Sequence, residues 1–100
     1  MGSFEDDIRD LRRRTAENRL AFLRLELQTC FIALDRAQFE MTLGNSEEAK
    51  KELAVCSHGA QVIDRFVGEA PGEMPEIEAR LPQLRMLMEA LRRELETFPD

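Results

Sequence analysis

The stretch LGNSEEAKKEL, Leu43 to Leu53, is written as the end of one helix and the start of another. Gly44 suits the left-handed position that closes a helix, where a Cβ is unfavourable. Asn45 or Ser46 can cap the next helix. Asn45 has Glu48 three residues on, the spacing of a capping box. Glu47 and Glu48 then fall in a first turn, where the positive end of the helix macrodipole favours acids. The chain therefore reverses within about three residues, and helices joined so tightly pack antiparallel.

Upstream, the spacing predicts one long helix over about 4–43, with no glycine or proline and mostly strong helix formers. Ser3 is placed to cap it, with Asp6, Asp7 and Asp10 near its positive end. Ala16, Leu20, Leu23, Leu27, Cys30, Leu34, Ala37 and Met41 alternate at intervals of four and three, an a/d seam. Phe22, Leu25, Ile32 and Phe39 are expected to widen that seam into a broad core face, covered by two neighbours. Downstream, a second helix is expected over about 46–67, with Ala49, Leu53, Cys56, Ala60, Ile63 and Val67 as its seam. Gly59 interrupts it, as a close helix contact or a local bend. The run GEAPGEMP, residues 68–75, is a loop. A third helix follows over about 75–98. Pro75 fits its first position, and Ile77, Leu81, Leu84, Met88, Leu91, Leu95 and Phe98 form its seam. Pro82 lies inside that period and predicts a continuous but kinked helix. Pro99 and Asp100 end it.

These elements define a single all-α domain over residues 1–100, a three-helix antiparallel bundle with a long first helix. Hydrophobic residues make up 43% of the chain and charged residues 34%, a globular composition rather than a disordered one. The lengths do not match. Forty helical residues span about 60 Å and twenty-two about 33 Å, so about half of the first helix lacks a partner within the chain. Its overhang carries Phe4, Ile8, Leu11 and Ala16, with Arg12 and Arg13 alongside. These six are the candidate interaction surface. The overhang is expected to bend or break near Thr15 to Asn18, to pair with a second chain as a homodimer, or to dock on a partner protein.

The net charge of −6 is uneven: residues 1–24 carry six arginines against five acids, and residues 40–100 carry thirteen acids against seven bases. An acidic balance argues against nucleic acid, whose phosphates need a basic face. The Arg12–Arg14 run is surrounded by Asp6, Asp7, Asp10 and Glu17 and reads as a salt-bridged helix surface, with a contact for an acidic protein or phosphate as the alternative. No run has the length and apolarity of a membrane span, and Gly2 does not begin a myristoylation signal. Cys30 and Cys56 sit on apolar faces without metal-ligand spacing and read as small core hydrophobes. A reducing, cytoplasmic setting is expected. His58 is two residues from Cys56 and does not share its helical face. With no phosphate loop, HExxH, nucleophile elbow or EF-hand loop, no catalytic residue, metal or cofactor is expected.

Two function classes follow. The first is a non-enzymatic helical module for protein interaction or self-association. The second is a small-ligand or regulatory domain with an apolar pocket between helices, lined by Phe39, Met41, Met86 and Met88. One resemblance bears on the first. Residues 33–56 resemble a single tetratricopeptide-type helical hairpin. Ala37 stands at the small position of the first helix and Gly44 at the turn. "EEA" opens the second helix, Ala49 takes its small position, and Leu53 and Cys56 the later packing positions. The large residue near Ala33 and the terminal proline, where Gln61 stands, are missing, and no second copy follows. The resemblance implies peptide or protein binding.

Overall fold

The computed structural model describes residues 3–98, apart from the side chain of Ser3. The expected Ser3 cap, the reading of Gly2 and the Pro99–Asp100 stop therefore lie outside the described residues. The chain forms three helices, α1 over Ser3–Thr42, α2 over Ser46–Glu69 and α3 over Pro75–Thr97. No strand occurs among the described residues. The helices run up, down and up in an antiparallel bundle. α1 packs most extensively on α2, and α3 lies against both. The molecule is a rod of 69 × 19 × 15 Å, because α1 continues well beyond the other two helices.

The α1–α2 turn is built as the glycine suggests. Gly44 has φ +80°. Its N–H donates to the Met41 carbonyl at 3.0 Å and the Asn45 N–H to the Glu40 carbonyl at 2.8 Å, the paired bonds of a Schellman ending. The expected capping box does not form. Asn45 occupies the cap position without a side-chain cap bond. Its amide instead donates to the Glu40 carboxylate at 2.8 Å, tying the side chain back to the helix it leaves.

α2 runs two residues past the expected 67, so Gly68 closes its last turn instead of opening the loop. α1 and α3 each stop one residue short of expectation. Pro75 is the first residue of α3, after the buried Met74. Gly72, at φ +81°, donates its N–H to the Glu78 carboxylate at 3.0 Å, which anchors the loop to the new helix. α3 passes through Pro82 as one helix. Pro82 itself is exposed, and the helix loses one intrahelical donor there.

The core holds Leu23, Leu27, Cys30, Leu34 and Ala37 of α1, with Ala33 beside them. It takes Ala49, Leu53, Cys56, Ala60 and Ile63 from α2. The α3 contribution runs from Ile77 to Leu95 at four- and three-residue intervals. All of these belong to the expected seams except Ala33, and Met74, from the expected loop, joins the core. Gly59 is a close-contact position: a Cβ there would lie 2.6 Å from Cys30 Sγ. The Cys30 thiol also donates to the Cys56 carbonyl at 3.4 Å. The contact with Cys30 and burial together hold the Cys56 thiol above its ordinary range, so it stays protonated. Both cysteines are free.

The expected broad core face of α1 is corrected by the structure. Phe22, Leu25, Ile32 and Phe39 are exposed. α2 and α3 both lie on one side of α1 and leave its other side open.

Candidate docking face on α1

α1 has two apolar stripes, and they differ in what covers them. The inner stripe is the core seam. Followed toward the N-terminus, it loses its apolar character where the bundle ends: Leu20 is half-buried, Ala16 is exposed, and the equivalent positions beyond are Arg13, Arg9 and Asp6. With Asp10, those three charged residues line a shallow polar groove. Asp10 bridges Arg13 at 2.6 Å and Arg14 at 2.9 Å, the salt-bridged surface the charge pattern predicts. Such exposed pairs add little stability.

The outer stripe behaves differently. Phe4, Leu11, Asn18, Leu25, Ile32 and Phe39 follow one another at intervals of seven. Four residues after each come Ile8, Thr15, Phe22, Thr29, Arg36 and Leu43. Together they form a second a/d seam, displaced roughly 150° around the helix from the inner one. This seam keeps its apolar residues from the overhang to the α1–α2 turn. Phe4 is 75% exposed, Leu11 65%, Leu25 62% and Phe39 62%. The two threonines on it turn their hydroxyls back onto the helix: Thr15 donates to the Leu11 carbonyl and Thr29 to the Leu25 carbonyl, each at 2.9 Å. Phe22 lies at the boundary, its ring edge-on to Phe66 of α2 at 5.9 Å, with the Arg19 guanidinium 5.7 Å from the Phe66 ring.

The structure divides the six candidate residues. Phe4, Ile8 and Leu11 share the outer stripe and Arg12 borders it. Arg13 and Ala16 lie on the inner side, which on the overhang is polar or small. α1 is a single helix from Ser3 to Thr42, so the expected break near Thr15 to Asn18 does not occur and the overhang does not fold back. Leu25, Ile32 and Phe39 belong with the candidate surface. The sequence places them in the core because apolar period alone does not say which neighbour covers a face. Their common interval of seven with Phe4 and Leu11 is the signal that separates them.

The pocket expected from Phe39, Met41, Met86 and Met88 is not assembled. Met88 is buried and Met41 half-buried, whereas Phe39 and Met86 are exposed. Of the four, only Met88 borders one of the main grooves, a polar-rimmed one with Asp64, Arg85 and Arg92. A separate open groove of about 390 Å³ lies between α1 and α3, with Leu27, Phe31 and Ile77 in it and the Arg24–Glu76 pair at its mouth. Arg80 stacks over Phe31 there at 4.5 Å. His58 is exposed. Among the described residues no three His, Cys, Asp or Glu side chains are grouped to hold a metal ion, and no helix is long and apolar enough to cross a membrane. No protein-family model, curated protein or solved structure matches the chain.

Proposed function

We propose that this protein is a non-enzymatic helical module for protein–protein interaction or self-association, and that the outer face of α1 is its docking surface. One observation carries the reading: the outer apolar stripe outlasts the bundle. The inner stripe is apolar only where α2 and α3 cover it, as core packing requires. The outer stripe carries apolar residues from Phe4 to Leu43, interrupted by Thr15, Asn18, Thr29 and Arg36, and α2 reaches it at its edge, where Phe66 meets Phe22. Exposed apolar surface of that extent and regularity marks a place where another surface docks. The resemblance of residues 33–56 to a tetratricopeptide-type hairpin points the same way. The two buried free thiols support a reducing compartment such as the cytoplasm.

The test is whether the stripe is dispensable for folding. Leu11→Asp and Leu25→Asp are expected to keep helical circular dichroism and cooperative unfolding, because both side chains already face solvent. Loss of the folded bundle in Leu25→Asp would mean that the outer face is an internal packing surface, and the reading would fall.

A further inference from the structure

Resting on that reading, we infer that the occupant of the outer face is a second copy of this chain, its α1 running antiparallel to the first along the full helix. Length comes first. A seam of strict sevens stays in register only with another helix that supercoils around it. This one needs a partner of about forty residues; α2 has 24 and α3 has 23, whereas α1 has 40.

The seam is also self-complementary in one register. With Phe4 placed opposite Leu43 of the second copy, every a position meets a d position from end to end. Phe22 and Leu25 then pack reciprocally across the two-fold axis. Asn18, the one amide on the stripe, meets Thr29, whose hydroxyl donates within its own helix and keeps lone pairs to accept from the amide. Leu11 meets Arg36, whose aliphatic stem can cover it while the guanidinium reaches water.

Charge selects the direction. Residues 3–22 of α1 hold five arginines among five acids, and residues 23–42 hold Glu26, Asp35 and Glu40 against Arg24 and Arg36, so the positions that flank the seam decide the direction. The antiparallel register sets Arg14 beside Asp35 and Arg19 beside Glu26, each twice by symmetry. Glu5 beside Glu40 is its like-charge pair. A parallel pair would gain Asp7 beside Arg12 but would stack Arg36 on Arg36 and set Arg14 beside Arg19 and Asp35 beside Glu40. Like charges so placed disfavour a pairing.

The area suffices. Seven large apolar side chains of the stripe and its ends expose between 43% and 75% of their surface. At about 150–200 Å² for each whole side chain, that is roughly 700 Å² per copy, close to the approximately 800 Å² per partner of a standard interface. The core face that α2 and α3 cover is turned roughly 150° from the stripe, and α2 reaches the stripe's edge at Phe22 through Phe66.

Light scattering in reducing buffer across a concentration series should give about 23 kDa, twice the chain's 11.5 kDa. Leu25→Asp should weaken association at least about 100-fold, since each dimer would bury two charges at its centre. For direction, Thr15→Cys mixed with Ile32→Cys should form the mixed disulfide at least about 10-fold faster than Thr15→Cys forms its own. Arg19→Glu should weaken the dimer, and Arg19→Glu with Glu26→Arg should restore it. A wild-type mass of 11.5 kDa at every concentration, with Leu25→Asp still folded, would overturn the second copy while leaving the docking face standing. An unfolded Leu25→Asp would remove both. A dimer in which Thr15→Cys cross-links to itself fastest would overturn the antiparallel arrangement.

Discussion

Leu25 and Leu27 are two residues apart on the same helix and are chemically identical, yet one is 62% exposed and the other 3%. Side chains two apart point to different sides of a helix, so the pair samples the two faces of α1 directly. Leu27 meets α2 and α3 and belongs to the core. Leu25 lies on the outer stripe, on the side of α1 that α2 and α3 leave open. The composition of a helix face records that it is covered; only the surrounding topology records by what.

The largest expected effect breaks that comparison. Leu27→Asp puts a carboxylate into a packed apolar site with no partner, a burden of several kcal/mol or more. It is comparable to the whole stability of a domain this size, about 5–15 kcal/mol. Circular dichroism should show an unfolded or grossly destabilised chain, where Leu25→Asp stays folded. Equal behaviour of the two variants would mean that the faces are not distinct. Leu27→Ala is the graded version and should lower unfolding free energy by about 2–5 kcal/mol in urea titration.

Next comes the tightest point of the covered face. Gly59 admits Cys30 where any Cβ would sit 2.6 Å from its sulfur. Alanine is favoured over glycine inside a helix by about 1 kcal/mol, but forcing extra volume into a packed core costs about 1–3 kcal/mol. Both atoms belong to the buried contact, so the clash should win and Gly59→Ala should destabilise by about 1 kcal/mol. Adding Cys30→Ala removes the sulfur and should recover part of the loss. A double-mutant cycle in urea reads that coupling. Purely additive effects would assign the glycine to something other than the α1–α2 approach.

Much of this architecture was legible in the residues. The alternation of fours and threes in all three helices located the core from Leu23 to Leu95, and Gly44 announced the turn. Pro75 marked the third helix start. What escaped the sequence was competition. Asn45 has the right spacing for a capping box, but Glu40, five residues upstream, takes its amide instead, a contact that forms only once the turn has closed. Phe22, Leu25, Ile32 and Phe39 are as apolar as the core residues between them, and their exposure follows from α2 and α3 occupying a single side. Of the candidate surface, Phe4, Ile8 and Leu11 were legible as an uncovered stripe. Its continuation along the bundle was masked by proximity to the inner seam. Gly59 was readable only as an interruption, because the sulfur it accommodates lies 29 residues away in the chain.

The smallest expected effect lies on the rim between the two faces. Arg24 of α1 grips Glu76 in the first turn of α3 with two bonds, Nε to Oε1 at 3.0 Å and Nη2 to Oε2 at 2.8 Å. The hydrogen bond from Arg24 holds the Glu76 carboxyl below its ordinary value and raises the arginine's own. The folded chain therefore holds this proton less tightly than the unfolded chain. Its contribution to stability is present above the ordinary carboxylate range and is lost as pH falls through the folded value. Both side chains are more than half exposed, so solvent and salt screen the pair. Glu76→Gln should accordingly lower the melting temperature slightly at neutral pH and not at all once the carboxyl is protonated. Its position in a first helical turn adds a dipole contribution with the same pH dependence. The cycle with Arg24→Gln separates the two: the coupling belongs to the ion pair, and whatever survives in the arginine-free background belongs to the helix end. Zero coupling at low salt would mean that α3 is held beside α1 by the apolar residues Ile77 and Leu81 alone, without help from its rim.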